Sequence, residues 1–481
     1  MTKNRLIIIV GVFLTLLSMS SNAQLSNTLY FNKYNPRQHK ANPAIQPEDK
    51  FYIGMPMLST IAVSGGNSRF SLQDIVQNVE VDGKKKTVLF FDKDANIMSD
   101  FLDKLKFKER VFASYQIDLI DFGFRLRHRN YFTFGISNRM ETMAIIPHQI
   151  PKLVFKGMSN NAKYKLRANR LSLSSTLFSQ AAANYSQKIT DQLTLGATVK
   201  YLYGHANVYT DFYDLDIRGS KDEWHVTGDA SIHASVPGLR FIQDEDAKIE
   251  DVEFDDDQKA TYYAKPQGHG AAIDLGATYQ INDQLTLQGG VADLGFIRWK
   301  KNLSQIDKTG DMIYGGIIYD INDDSTEYYK KYEDQLDEIY AVNDNPSAYT
   351  SALSAKIHVG AEYSLFQDRL GLGVLSKTYI FRRTAWEEFL LSANYHPNRW
   401  VSLTATYGIF DGEWNNLSAG MNFNLGAFNL NFAVDNIPIH YAKADNAIIP
   451  YDTRHLRALI GVAFTFRDKK QKIGDEDGDG I

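Results

Sequence analysis

The stretch VSLTATYGI (residues 401–409) carries an apolar residue at every odd position and Ser, Thr or Gly at every even one. Side chains of a strand alternate between its two faces, so this period of two indicates a strand with one apolar side. The pattern recurs in FLLSANYHP (389–397), NLSAGMNFNLG (416–426) and RALIGVAFTF (457–466). Many strands of about ten residues with small polar residues on the second face are typical of a transmembrane β-barrel, which has lipid outside and a polar lumen inside.

The first 23 residues have the organisation of a secretory signal peptide. Lys3 and Arg5 precede an apolar run from Leu6 to Leu17, and Ser21-Asn22-Ala23 fits the small-x-small cleavage rule. The run is too short to span a bilayer as a helix. Only helices and closed barrels satisfy their backbone in lipid. A secreted chain of alternating strands therefore points to a bacterial outer membrane.

Turn lengths predict an all-β, antiparallel barrel of about 14 strands over residues 51–467. Short polar turns such as ITDQ (189–192), INDQ (281–284) and FQDR (366–369) alternate with long connections near 64–108, 146–170, 211–268 and 300–353. Outer-membrane barrels have short periplasmic turns and long external loops. All short turns then fall on one side, and both chain termini are expected in the periplasm. The predicted strands lie near 51–63, 109–127, 131–145, 171–189, 193–210, 269–281, 285–299, 354–366, 370–382, 387–397, 400–410, 416–425, 427–437 and 453–466.

Three stretches within the long connections have helical spacing of apolar residues, at 71–79, 96–107 and 326–342. Two interpretations are open: helices that pack the loops, or helices that line a gate for a ligand. Ligand sites are mostly apolar with a few polar anchors. A ligand groove on these loops would use Ile97, Phe101, Leu105, Tyr328 and Tyr332.

Residues 24–50 are predicted to form an N-terminal hatch inside or beneath the barrel. Pro36, Pro43 and Pro47 forbid a regular helix or strand there. The tripeptide Asn42-Pro43-Ala44 resembles the "NPA" element in the hatch of FadL-type transporters of hydrophobic compounds and of related PorV-like barrels. With the strand count, the chain most resembles uncharacterised FadL/PorV-related outer-membrane barrels of Bacteroidota. That resemblance implies transport of small hydrophobic compounds.

The tail 468–481 carries Asp475, Asp477 and Asp479 at alternate positions, followed by Gly480. This is the first half of an Asp-rich Ca²⁺ loop. It resembles the thrombospondin type-3-like linkers that join such barrels to OmpA-like, peptidoglycan-binding domains. The tail is then a vestige, a truncation or the start of a domain beyond Ile481, or else a disordered acidic terminus. Calcium is the one cofactor that the sequence suggests.

Composition excludes several classes of function. With no Cys and a formal net charge of −5, the sequence predicts neither disulfides, thiolate metal sites nor nucleic-acid binding. Phosphate-binding, dinucleotide-binding, zinc-protease and serine-hydrolase motifs are absent from the sequence, which predicts a protein that is not an enzyme. Expected partners are outer-membrane lipid and lipopolysaccharide, a small hydrophobic ligand, and peptidoglycan through a missing C-terminal domain. Besides a FadL-like transporter or channel and a structural or accessory barrel of the envelope, one further class stays open, a barrel enzyme whose Ser and His residues meet only in the fold.

Overall fold

The computed structural model describes most of the chain between Asn27 and Arg467. Its gaps are residues 69, 72–73, 75, 82–83, 90–96, 106–108, 157–162, 165–170, 220–223, 244–248, 256–264, 315–340, 343–344, 383, 411–412, 438–440, 445–446 and 451–453. The predicted signal peptide and the Asp-rich tail lie outside the described residues.

Fourteen antiparallel strands form a closed barrel, which confirms the predicted fold class and strand count. Each strand pairs with the next, and β14 pairs with both parts of β1 to close the sheet. The strands are β1 (Phe51–Gly54 and Ile61–Asn67), β2 (Glu109–Leu126), β3 (Asn130–Ile146), β4 (Ser172–Lys188), β5 (Leu193–Gly219), β6 (Gly268–Gln280), β7 (Leu285–Trp299), β8 (Tyr349–Ala352 and Ala355–Leu365), β9 (Leu370–Phe381), β10 (Thr384–Asn398), β11 (Val401–Phe410), β12 (Glu413–Leu425), β13 (Phe428–Asp435) and β14 (His455–Phe466).

The two faces of the wall are those that the alternation predicts. On β11, Ser402, Thr404 and Thr406 are buried towards the lumen, whereas Leu403 and Tyr407 are exposed on the outside. The same outward apolar surface continues on the neighbouring strands and around to Ile460 on β14. Six short turns lie at one end of the barrel, called the short-turn end below, and the long connections lie at the other, called the long-loop end. The prediction that all short turns share one side is wrong, because β9 and β10, and likewise β11 and β12, follow each other at the long-loop end after only two residues.

An arginine on the apolar exterior tests this assignment of faces. Val374 of β9 is outward-facing, with 41% of its surface exposed, and pairs with Leu391 of β10. Val374→Arg should lower the free energy of unfolding from phospholipid vesicles by about 2–4 kcal/mol, since an arginine near the bilayer midplane loses its hydration. Phe366→Arg, in a short turn, should cost about 0–1 kcal/mol. Equal losses for the two variants in urea titrations would contradict the assigned faces.

The sheet continues beyond the barrel at the long-loop end. The fifth strand was expected to end near residue 210 but runs to Gly219, because Trp224–Ser235 pairs with its second half and Leu303–Tyr314 pairs with Trp224–Ser235 in turn. Ala341–Val342 and Lys163–Tyr164 add short strands to this extension. Three separate hairpins complete the long connections: Val76–Val81 with Lys84–Leu89, Leu239–Gln243 with Ile249–Phe254, and Tyr441–Ala444 with Ala447–Pro450.

Helices are few and short. The loop helices are α1 (Ile97–Lys104) and α2 (Gln149–Lys156), and Asn27–Leu29 and Gln38–Lys40 form 3₁₀ turns. The helix predicted over 71–79 is wrong, because residues from Val76 onward pair as a hairpin strand. The helix predicted over 326–342 lies almost wholly outside the described residues, and its last two residues form a strand. Within the described ranges, no helix has the length and apolar character needed to cross a membrane.

Candidate functional site

The candidate site is the lumen, which an N-terminal segment (residues 27–50) occupies. Its Asn42 side chain donates to the carbonyl oxygens of Ala277 and Gly289 at 3.3 and 3.4 Å. The Asn184 side chain in turn donates to the carbonyl of Pro43 at 3.3 Å. Asn42-Pro43-Ala44 thus docks on the inner wall of the barrel, although its role as a hatch motif stays a prediction.

A glycine in the wall makes this close approach feasible. A Cβ atom added at Gly196 of β5 would lie 2.1 Å from the Pro43 carbonyl oxygen, which is far inside van der Waals contact. A Cβ at Gly276 of β6 would lie 2.0 Å from the Asn42 Oδ1 atom. At Gly196 and Gly276 the N-terminal segment can therefore lie directly against the strands, because no side chain stands between them.

Two cations of the N-terminal segment face two carboxylates of β2, called the Asp118–Asp121 pair below. Lys40 Nζ lies 2.6 Å from Asp118 Oδ2 and 3.0 Å from Asp121 Oδ2, and Arg37 Nε lies 3.7 Å from Asp121 Oδ2. Burial disfavours the charged amine, but the two carboxylates outweigh it, so the pKa of Lys40 is raised above its ordinary value. Lys40 is therefore an ammonium at neutral pH.

The neighbouring His39 remains neutral in the same surroundings. Burial lowers its pKa to about 4, in spite of the Asp121 carboxylate. The neutral ring can donate from Nδ1 to the Pro36 carbonyl oxygen, 3.1 Å away. The charge that the N-terminal segment presents to the Asp118–Asp121 pair thus comes from Arg37 and Lys40.

Asp293 of β7 is the centre of a second group of buried charges, called the Asp293 cluster below. Its carboxylate accepts hydrogen bonds from Arg139, Lys200 and Lys356, which project from three other strands at 2.9, 2.6 and 2.6 Å. Lys200 also lies 2.7 Å from Asp274 Oδ2. Arg139 also pairs with Glu141. The cluster therefore ties together β3, β5, β6, β7 and β8 across the lumen.

The strand is distorted at Asp293. Its backbone has φ 58°, the left-handed region, and its N–H donates to the Asp274 carboxylate at 2.7 Å. The register with β6 shifts at this point, and the ladders to the two parts of β8 end at Ala292 and resume at Phe296. This bulge turns Asp293 from the outward phase of the strand into the lumen.

A third group, called the Glu388 cluster below, lies on the β9–β10 and β13–β14 side. Arg457 makes a bidentate pair with Glu388 and lies 3.8 Å from Asp435. Asn27 accepts a hydrogen bond from Lys377 at 2.8 Å, while its backbone N–H donates to Asp435 at 3.1 Å. The first described residue of the N-terminal segment therefore bridges wall charges of opposite sign.

Three cavities follow one another along the lumen. An aromatic pocket of about 40 Å³ lies towards the long-loop end. Below it is a charged chamber of about 100 Å³, which Asp118, Asp121, Asp293 and Lys377 line. The N-terminal segment closes the chamber from beneath, and its other side borders a vestibule of about 1010 Å³ at the short-turn end. Residues lining the aromatic pocket include Phe112, Met143, Phe381, Trp386 and Phe410.

Comparison with protein families identifies the chain. A model described as a family of unknown function (DUF5723) matches residues 43–435. The chain belongs to this family. A search of curated proteins finds no match to this DUF5723 protein.

Solved structures similar to the DUF5723 barrel include two toluene transporters and a FadL homologue. The toluene transporter TbuX of Ralstonia pickettii is 10% identical, with 90% of this chain and 94% of that chain covered and a TM-score of 0.41. The toluene transporter TodX of P. putida is 11% identical, with 94% and 97% covered and a TM-score of 0.40. A FadL homologue of Pseudomonas aeruginosa is 11% identical, with 93% and 99% covered and a TM-score of 0.41.

The five residues of the predicted ligand groove fall into two groups in the DUF5723 protein: three lie on α1 or next to its end, and two lie outside the described residues. Phe101 and Leu105 are buried with Phe70, Met98 and Leu102 in a small apolar cluster. The backbone of Ile97 begins α1. Tyr328, Tyr332 and the tail residues Asp475, Asp477 and Asp479 lie outside the described residues. In the ranges that are described, no group of three His, Cys, Asp or Glu side chains could hold a metal ion.

Six charged or titratable side chains on the inner face of the strands are buried: Lys200, Asp274, Lys356, His358, Glu362 and Arg457. Sequence reasoning missed Asp118 and Asp121, which pair with the N-terminal segment, and Asp293, which pairs with Lys200 and Lys356. A signal for the first two was present, because both are acidic residues within an otherwise strand-like run, QIDLIDF at 116–122.

Proposed function

We propose that this protein is an outer-membrane channel for small, largely apolar compounds, with the N-terminal segment as its plug. A closed barrel with an apolar exterior and a polar, buried interior suits a bilayer, since such a barrel leaves no unpaired strand edge in lipid. The short-turn end with both chain ends would then face the periplasm. Lipid and lipopolysaccharide would surround the wall.

The observation that carries the proposal is the division of the lumen by a segment that, apart from its chain connection to β1, only noncovalent contacts hold in place. Hydrogen bonds and ion pairs join the N-terminal segment to the wall, and cavities lie on both of its sides. Such a segment can shift without breaking any strand of the barrel. Displacement would connect the chamber to the vestibule of about 1010 Å³.

The aromatic pocket is the place where an apolar compound would bind first. Tyr379 and Trp386 stack with ring centroids 5.2 Å apart, and Met143 and Phe381 pack together beside them. Ligand pockets are mostly apolar with a few polar groups that fix orientation, and here Arg457 and Glu141 supply those groups. The loop cluster around Phe101 and Leu105 would pack the long-loop end near by.

Calorimetry on the full-length protein in lipid nanodiscs tests the pocket, with toluene and decanoate as probes. At least one probe should bind, and Phe381→Asp should weaken its affinity at least about tenfold, because the new carboxylate must be desolvated beside the ligand. Phe366→Asp, in a short turn far from the pocket, is the matched control. Absence of binding by both probes to the unaltered protein would remove the proposal that small apolar compounds are the solutes of this channel.

A second function, a non-transporting structural or accessory barrel of the envelope, is supported by one observation. The Asp293 cluster fills the chamber wall with mutually paired charges, as a permanently closed interior would. Peptidoglycan would then be reached through a domain that follows the Asp-rich tail. Failure of both probes to bind, together with an N-terminal segment that resists protease, would favour this function.

A further inference from the structure

The charges of the central lumen do not balance within the barrel wall alone. Among the described side chains there, the wall contributes two more carboxylates than cations. The cations are Arg139, Lys200, Lys356, Lys377 and Arg457, and the carboxylates are Asp118, Asp121, Glu141, Asp274, Asp293, Glu388 and Asp435. The N-terminal segment supplies the missing positive charges as Arg37 and Lys40.

The excess of carboxylates over cations in the wall lies at one pair of residues. The Asp293 cluster and the Glu388 cluster each contain equal numbers of cations and carboxylates when Lys377 is counted with the second. The Asp118–Asp121 pair has no wall cation within ion-pair distance among the described residues, and its ion-pair partners there are Lys40 and Arg37. The excess negative charge of the wall is therefore concentrated at one place, beside the chamber.

Arg37 interacts with the Asp118–Asp121 pair through its positive charge more than through hydrogen bonds of its terminal nitrogens. The side chain is about 2% exposed, yet both terminal nitrogens lack a hydrogen-bond partner in the part of the chain that the structure describes. Leaving such groups unbonded in a buried place is costly. The Asp121 carboxylate 3.7 Å from Nε and a hydrogen bond from Nε to Ser59 Oγ at 3.3 Å offset this cost.

The wall is built to keep the two carboxylates in place without the N-terminal segment. Gln116 donates to Asp118 Oδ1 at 3.0 Å. Tyr52 and Ser59 donate their hydroxyl hydrogens to Asp121, each at 3.1 Å. These neutral donors favour the ionised form of a carboxylate but leave its charge uncompensated. Withdrawal of Lys40 and Arg37 would therefore expose two fixed, oriented anions to the lumen.

We propose that the channel, once the N-terminal segment is displaced, selects for cations and against anions through the Asp118–Asp121 pair. Carboxylates that line a pore are the usual source of cation selectivity. The Lys40 ammonium shows the geometry that a solute's ammonium group would adopt, with contacts of 2.6 and 3.0 Å. The proposal rests on the proposed channel function. It narrows the solute to a small compound with an apolar body and a neutral or positively charged polar end, so of the two calorimetric probes it favours toluene over the decanoate anion.

Conductance of the full-length protein in planar bilayers, under a KCl gradient, tests this selectivity. Arg37→Gln together with Lys40→Gln should release the N-terminal segment and open a pore that passes K⁺ about tenfold better than Cl⁻, the lower end of the counter-ion enrichment in a cleft of one charge sign. Adding Asp118→Asn and Asp121→Asn to these two changes should abolish the preference. Lys33→Gln is the control, because Lys33 also carries a positive charge on the N-terminal segment but pairs, among the described residues, with the exposed Asp368 at the short-turn end.

The outcomes separate cleanly. A heat-resistant, folded R37Q/K40Q variant that stays closed, or that conducts K⁺ and Cl⁻ equally, would overturn the inference. So would a preference for K⁺ that survives removal of both aspartates. Selective conductance in a protein whose aromatic pocket binds neither toluene nor decanoate would uphold the selectivity and remove only the proposed solute class.

Discussion

Replacing Asp293 with Ala is expected to lower the free energy of unfolding by about 3–5 kcal/mol, because it leaves buried cations without their common partner. Arg139, Lys200 and Lys356 all contact this carboxylate. Their mutual repulsion would act in the interior of the barrel, where water screens charge least. Urea titration of the protein in phospholipid vesicles measures the loss.

Two further variants separate charge from backbone geometry at this position. Asp293 has φ 58°, which glycine adopts freely, so Asp293→Gly keeps the backbone and removes the carboxylate. It should be nearly as destabilising as Asp293→Ala. Asp283→Ala, in the exposed turn between β6 and β7, should change stability by no more than about 0.5 kcal/mol. A stable Asp293→Gly variant would show that the Asp293 cluster contributes little.

Deleting residues 27–46 is expected to convert a closed barrel into a conducting pore. The deletion removes the contacts of Asn27, Lys40 and Asn42 with the wall but retains the Asp49–Arg467 ion pair at the start of the barrel. Single-channel recordings in planar bilayers should show steady open current, against rare or no openings in the full-length protein. The barrel should still resist heat in detergent, since the deletion removes no strand.

One result of the same experiment would contradict the assigned role of the N-terminal segment. A deletion variant that folds, resists heat and carries no more current than the full-length protein would show that the lumen is closed by the wall itself. The Asp293 cluster, whose side chains project into the lumen from β3, β5, β6, β7 and β8, would then be the candidate barrier.

The strands could be predicted from the sequence because two signals agree. Alternation in stretches such as 401–409 gives the faces, and the contrast between short turns and long connections gives the order. Long connections were less predictable. Val76 and Val79 fit a helical spacing with Leu72 and Ile75, yet residues 76–81 form a hairpin strand. Asp82-Gly83, a dipeptide typical of tight hairpin turns, was the signal for this alternative.

The charged residues of the lumen could be predicted only in part, because an irregularity in each of β2 and β7 shifts the alternation by one residue. A register shift after Asp118 brings Asp121, three residues later, onto the same inner face, which strict alternation forbids. Asp293 lies two residues after Val291, in the apolar phase of β7, until the bulge reverses its direction. Alternation assigns faces only between such irregularities. The inward direction of Asp121 and Asp293 could therefore be seen only in the structure.

The pairing of β1 with β14 has a consequence for how the barrel assembles. β1 consists of two short parts, and both pair with β14, while the N–H of Lys50 donates to the carbonyl of Phe466 at the same seam. The N-terminal segment is thus joined covalently to the edge at which the sheet closes. A sealed sheet offers no sideways path, so after closure this segment can enter or leave the lumen only through an end of the barrel. Because residues 47–50 attach it at the seam itself, each barrel is filled by the N-terminal segment of its own chain, in cis.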